Sequence, residues 1–183
     1  MTMNPVHVKI CCLASVEEAH LAAGHGASAV GLGGEMPSGP GVIGAKAAAA
    51  IAREAPPGLE TFLLTSGKCA ADIATELAIC PATAVQIVRH IDPKEYPVLI
   101  EAVPQVRRVQ VIHIEDEGAL ALAARYTPYV DAFLLDSGRT SGAVPQFGGT
   151  GGMGGLQPAY GGAAAAAPPP QRRAAPVSYT HLR

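Results

Sequence analysis

The sequence predicts an α/β protein, a (β/α)8 barrel of the TIM type that is incomplete, with about six βα units and a disordered C-terminal tail. Three observations predict it. Six apolar, strand-like runs alternate with helical segments about every 20–30 residues, the spacing of parallel βαβ units. The residues after the first strand, Cys12-Leu13-Ala14-Ser15, lack the glycine fingerprint with which an open doubly wound sheet announces a nucleotide site. Two groups suited to proton transfer, Cys11 and Asp136, stand at the C-terminal ends of the first and sixth strands, where barrel enzymes keep their chemistry.

The first strand is Val6-His7-Val8-Lys9-Ile10-Cys11. Alternation puts Val6, Val8 and Ile10 on one face and His7, Lys9 and Cys11 on the other. Ser15-Val16-Glu17-Glu18 is a capping box, with Ser15 set to accept from backbone N–H groups and Glu18 to reach back. It opens a helix from about Val16 to Ala23, closed by Gly24 and Gly26. Strand two is Ser28 to Leu32, and the Gly- and Pro-rich loop 33–41 excludes regular structure. Helix two covers Ile43 to Ala55, strand three Glu60 to Thr65, helix three Cys69 to Ala78, and strand four Ala84 to Val88. Asp92 is placed as N-cap of helix four, with Pro93 in the first turn and Glu95 as capping partner. Strand five is Val106 to His113, helix five Asp116 to Tyr126, and strand six Val130 to Asp136.

The chain changes character after Gly151. Gly-rich, Ala-rich and Pro-rich stretches succeed one another, and such a composition cannot bury enough apolar surface to order itself. Two domains of unequal standing are therefore expected: a partial barrel over 1–151 and a low-complexity, non-native tail over 152–183.

With 183 residues and a net charge of −2, the chain has room for one real core and no electrostatic case for a nucleic-acid or membrane-surface partner. Its apolar runs are too interrupted for a membrane span, and no secretory signal is read at the N-terminus. Cys11, Cys12, Cys69 and Cys80 fit neither a disulfide framework nor a zinc site, and are read as reduced cytoplasmic thiols.

Val8-Lys9-Ile10-Cys11, the helix after it, Asp131-Ala132-Phe133-Leu134-Leu135-Asp136-Ser137 and Gly148-Gly149-Thr150-Gly151 together resemble phosphoribosylanthranilate isomerase of tryptophan biosynthesis. The resemblance covers about residues 6 to 151. It implies an aldose–ketose isomerase working by an Amadori rearrangement on a small phosphosugar, N-(5-phosphoribosyl)anthranilate, with no cofactor and no metal. Cys11 would be the general base, Asp136 the general acid, and Gln86 the glutamine of the family's strand-four motif. Lys9 would help hold the Cys11 thiolate, since a nearby ammonium favours that form. Gly148, Gly149, Thr150 and Gly151 would offer backbone N–H groups to an anionic substrate.

Set against these roles, Cys11 reads as a small buried hydrophobe, Asp136 as a cap on the next turn, Lys9 as the partner of an inward carboxylate, and 148–151 as a flexible linker. Cys12 is expected to pack on the opposite face, Cys69 and Cys80 to do no chemistry, and His113 to be a satisfied barrel-interior histidine.

The sequence departs from the family at four places. Cys12 stands where the family has glycine. The loop containing Met36-Pro37-Ser38-Gly39-Pro40 lacks the arginine that faces the anthranilate carboxylate. Val88 takes the strand-four histidine position, and the glycine-rich turns after strands seven and eight are not found. The last residues, Pro176 to Arg183, resemble a translated sequencing adapter, and the segment before them a shifted reading frame. The alternatives are an inactive truncated barrel fragment, or a related barrel isomerase acting on another phosphosugar.

Overall fold

In a computed structural model of the chain, the structure describes residues 6–34, 36, 42–136 and 181–182. Six strands alternate with five helices: β1 (Lys9–Cys11), α1 (Val16–Gly24), β2 (Ala29–Gly33), α2 (Ala45–Glu54), β3 (Glu60–Thr65), α3 (Ala70–Ile79), β4 (Ala84–Ile87), α4 (Glu95–Ala102), β5 (Arg107–His113), α5 (Gly118–Tyr126) and β6 (Ala132–Asp136). The strands lie side by side in sequence order, and every pair is parallel. They form a curled half-barrel with helices on the outside, as the sequence predicts.

At two helix starts that differ from expectation, an acceptor outside the helix has taken the backbone amide concerned. Helix two starts at Ala45 rather than Ile43, because the Ile43 amide donates to Gly33 O at 3.1 Å. Helix five starts two residues late, because the Asp116 carboxylate accepts from the Gly118 amide at 2.7 Å and closes a turn. Asp92 likewise accepts from the Lys94 amide at 3.0 Å ahead of α4, but the residue before that helix is Lys94, which caps nothing. Glu95 does not reach back at all: its carboxylate accepts from the Ala70 amide at 2.8 Å and so caps α3 across the helix–helix contact. The Ser15–Glu18 pair does form its box, with Ser15 Oγ accepting from the Glu18 amide at 3.3 Å and Glu18 accepting from the Ala14 amide at 2.7 Å.

One further strand, β7 (His181–Leu182), pairs in parallel with β1. The expectation that 152–183 holds no strand fails for these two residues. The edge of β1 is a row of backbone donors and acceptors, which takes an extended partner whatever its side chains. Residues 137–180, including Gly148, Gly149, Thr150 and Gly151, lie outside the described residues, so the domain boundary at 151 stays an expectation.

The core has two compartments on either side of the sheet. Ile51, Ile73, Leu77, Tyr96 and Leu99 from the helices bury against Val30, Leu32, Leu63, Val85 and Ile112 of the strands. The barrel interior holds a smaller cluster, Ala29, Phe62, Ala84, Val88, Val109, Val111 and Leu134. Gln110 is wholly buried on the helix side, where its amide donates to Ile87 O at 3.2 Å and Arg89 O at 3.1 Å while Tyr96 OH donates to its carbonyl. This pins the backbone at the end of β4.

Candidate active site

Lys9 and Cys11 are two residues apart on β1 and therefore project together into the barrel. Lys9 is only 1% exposed. Leaving such an amine without acceptors in an apolar interior would be costly. Its Nζ donates to Gln86 Oε1 at 2.7 Å and to Cys11 Sγ at 3.1 Å, and lies 5.2 Å from the centre of the Phe62 ring, within reach of a cation–π contact. The expected thiolate holder and the strand-four motif glutamine are thus directly bonded to each other, across 77 residues of chain. A glutamine and a thiol thus stand among the partners of Lys9.

Gly31 makes room for this arrangement. It is the register partner of Cys11 on β2, and a Cβ there would lie 2.6 Å from Cys11 Sγ. A glycine inside a strand weakens it unless something approaches closely; here the approaching atom is the thiol sulfur. Neither Gly31 nor Phe62 was singled out in the sequence. The mid-strand glycine opposite a candidate base was the available signal for the first, and nothing marked the second.

Asp136 ends β6, on the face that carries Ala132 and Leu134 into the barrel cluster. Its height relative to Cys11 follows from the ladders. Cys11 is in register with Gly31, then Phe62, Ala84 and Arg107. The β5–β6 pairing continues that level to Val130, so Asp136 stands six residues further on. In an eight-stranded barrel of shear 8 each step between strands tilts the level by about one residue along the axis. The five steps from β1 to β6 absorb about five of the six residues. Cys11 and Asp136 therefore open at the same end of the half-barrel, within about one residue of the same height.

His113 is the register partner of Asp136 and lies on the interior face, 3% exposed, with Nε2 held 3.0 Å from Val88 O. Its place inside the barrel is the expected one. His90, 5.5 Å away between ring centres, is held below the usual histidine range by burial and then by the neighbouring His113. Val88, at the expected histidine position, is a buried member of the barrel cluster. Cys12 corrects its expectation: it is exposed rather than packed, and its φ of 65° makes it the one non-glycine residue with positive φ among those described. That is the left-handed region that favours glycine. Cys80 is buried, which pushes its thiol up to about 11, and Cys69 precedes α3. Among the described residues no group of histidines, cysteines and carboxylates is arranged to hold a metal ion, and no helix is long and apolar enough to cross a membrane.

Fold and site together define a class: a parallel (β/α) barrel whose interior carries a lysine-bound thiol and a carboxylic acid at the C-terminal strand ends. The particular proteins this chain resembles are phosphoribosylanthranilate isomerases. It is 29% identical over 135 residues to N-(5'-phosphoribosyl)anthranilate isomerase of Methanocella arvoryzae, which covers 74% of this chain and 63% of that protein. It is 28% identical over 133 residues to N-(5'-phosphoribosyl)anthranilate isomerase 2 of Methanosarcina mazei, covering 72% and 59%. The chain thus spans about six tenths of the length of the curated relatives it matches. The crystal structure of the Thermotoga maritima isomerase superposes with a TM-score of 0.63 at 23% identity, over 72% of this chain and 62% of that one. An isomerase crystallised with reduced 1-(o-carboxyphenylamino)-1-deoxyribulose 5-phosphate gives the same score over 72% and 65%. At that identity these structures speak for the fold. No family model matches.

Proposed function

We propose that the chain carries the acid–base part of a phosphoribosylanthranilate isomerase site. Asp136 protonates the ribose ring oxygen of N-(5-phosphoribosyl)anthranilate and opens the ring to a Schiff base. Cys11, as thiolate, removes the C2′ proton, and the enolamine tautomerises to the ketone. Acid and base of different character on either side of one sugar are what such a rearrangement needs. Lys9 stabilises the thiolate. Gln86 orients Lys9 and, through it, the base. The observation that carries this reading is the hydrogen-bonded series from buried Gln86 and Lys9 to the partly exposed Cys11 at the C-terminal end of β1.

A second reading, a barrel that does not turn over this sugar, is favoured by buried Val88 at the family's histidine position and by a 33–41 loop without arginine. Proton transfer alone does not give turnover when binding energy from a remote phosphate positions the reacting sugar. Gly148, Gly149, Thr150 and Gly151 are proposed to supply at most part of that anion site, and the 183-residue chain is expected to turn over near background.

The test follows loss of substrate fluorescence with the 183-residue chain and with a chimera whose residues after 136 come from the Methanocella arvoryzae relative. The chimera should turn over, and Cys11→Ala or Asp136→Ala in it should lose roughly 10²–10⁴-fold in kcat. Robust turnover by the 183-residue chain would mean that another loop binds the phosphate. A folded chimera that binds the reduced product analogue yet does not turn over would remove the isomerase reading.

A further inference from the structure

We propose that Cys11 and Lys9 form a reversible covalent sulfur–nitrogen bond when the protein meets a peroxide, so that this pair is a modification site. The proposal rests on the geometry alone and stands whether or not the chain isomerises a sugar.

A cysteine oxidised to sulfenic acid condenses with whichever nucleophile is nearest, a thiol or a nitrogen. Beside Cys11 Sγ that nucleophile is the Lys9 amine, at 3.1 Å. Both atoms are held. Gln86 Oε1 fixes Nζ from the other side at 2.7 Å, and the missing Cβ of Gly31 leaves the pocket that Sγ occupies. Lys9 is buried, which keeps water from competing for the sulfenic acid, while Cys11 is partly exposed at the strand end and open to a small oxidant.

The rival thiol is Cys12. Successive strand residues point to opposite faces, and Cys12 has already turned away into the exposed loop with its positive φ. Cys69 and Cys80 flank α3, on a different element.

The chemistry balances with hydrogen peroxide as oxidant. The Cys11 thiolate attacks a peroxide oxygen, and the O–O bond breaks to give the sulfenic acid and hydroxide. The Lys9 nitrogen, having lost a proton to that hydroxide, attacks sulfur and displaces the sulfenic oxygen, which leaves as water. Sulfur is oxidised by two electrons, the peroxide is reduced to two waters, and the protein loses two hydrogens. Two equivalents of a thiol reductant reverse the bond, returning the Cys11 thiol and the Lys9 amine and leaving as their own disulfide. In the bridged form both thiolate and ammonium are lost, so the modification silences the candidate base.

The experiment treats the 183-residue chain with limiting hydrogen peroxide, digests it with trypsin and maps the products by mass spectrometry. A bridged Lys9 is not cleaved. The expected product is a peptide spanning 1–46 that lacks two hydrogens, does not fragment between residues 9 and 11, and reverts with dithiothreitol. It should persist in a Cys12→Ser variant and exceed Cys11 sulfinic acid several-fold. Loss of the two-hydrogen deficit in Cys12→Ser would instead mean a disulfide between adjacent cysteines. Sulfenic or sulfinic Cys11 with tryptic cleavage intact at Lys9 would equally overturn the proposal. Lys9→Arg should oxidise onward to sulfinic acid, and the mapping in the unsubstituted chain decides the matter even if that variant does not fold.

Discussion

The two faces of the sheet bury side chains of different kinds. Against the helices lie Ile51, Ile73, Tyr96 and Leu99 in a broad apolar layer. Inside the half-barrel a smaller apolar set surrounds Lys9, Gln86 and His113, all buried. The helix side supplies area removed from water, and stability grows with that area. The interior accepts polar groups that must be bonded to be tolerated. The difference teaches where this chain holds its fold and where it gathers its candidate site, and it can be broken one face at a time.

The largest expected effect is on the helix side. Ile73→Ala opens a cavity in α3 where the native residue is 0% exposed, and should lower the unfolding free energy by about 2–5 kcal/mol, read from the urea midpoint. The reactivity of Cys11 should not change. A smaller effect is expected inside. Gln86→Leu leaves the Lys9 amine short of an acceptor and should cost about 1–3 kcal/mol. Adding Lys9→Met should recover part of that loss, because removing both polar partners costs less than stranding one. If the double variant is less stable than Gln86→Leu alone, the two residues do not act as a pair. The smallest effect should be a gain: Cys12→Gly relieves the left-handed backbone and should stabilise by about 1 kcal/mol, visible as a raised Tm. An unchanged or lowered Tm would show that Cys12 carries no strain.

The alternation of strands and helices was legible because period-2 and helical patterns change over cleanly between Gly and Pro breaks. Cys11 and Asp136 were legible because each ends an apolar strand. The Lys9–Gln86 bond was not, since it depends on the register between β1 and β4 through two intervening strands. Glu95 misled for a related reason: a capping residue binds whichever free amide is nearest in space, and that amide belongs to Ala70 rather than to its own helix. Cys12 shows a third limit. Its residue type says nothing of φ, and only the family's glycine at that position hinted at the left-handed turn.

The claim at the centre of this account is that the buried Lys9 amine holds Cys11 as a thiolate. It is tested most directly by the pH dependence of iodoacetamide alkylation of Cys11, followed at the peptide level in a Cys12→Gly background, with and without Lys9→Met. The account predicts that Lys9→Met slows the reaction at neutral pH by about tenfold or more. Coincident pH profiles for the two proteins would contradict it.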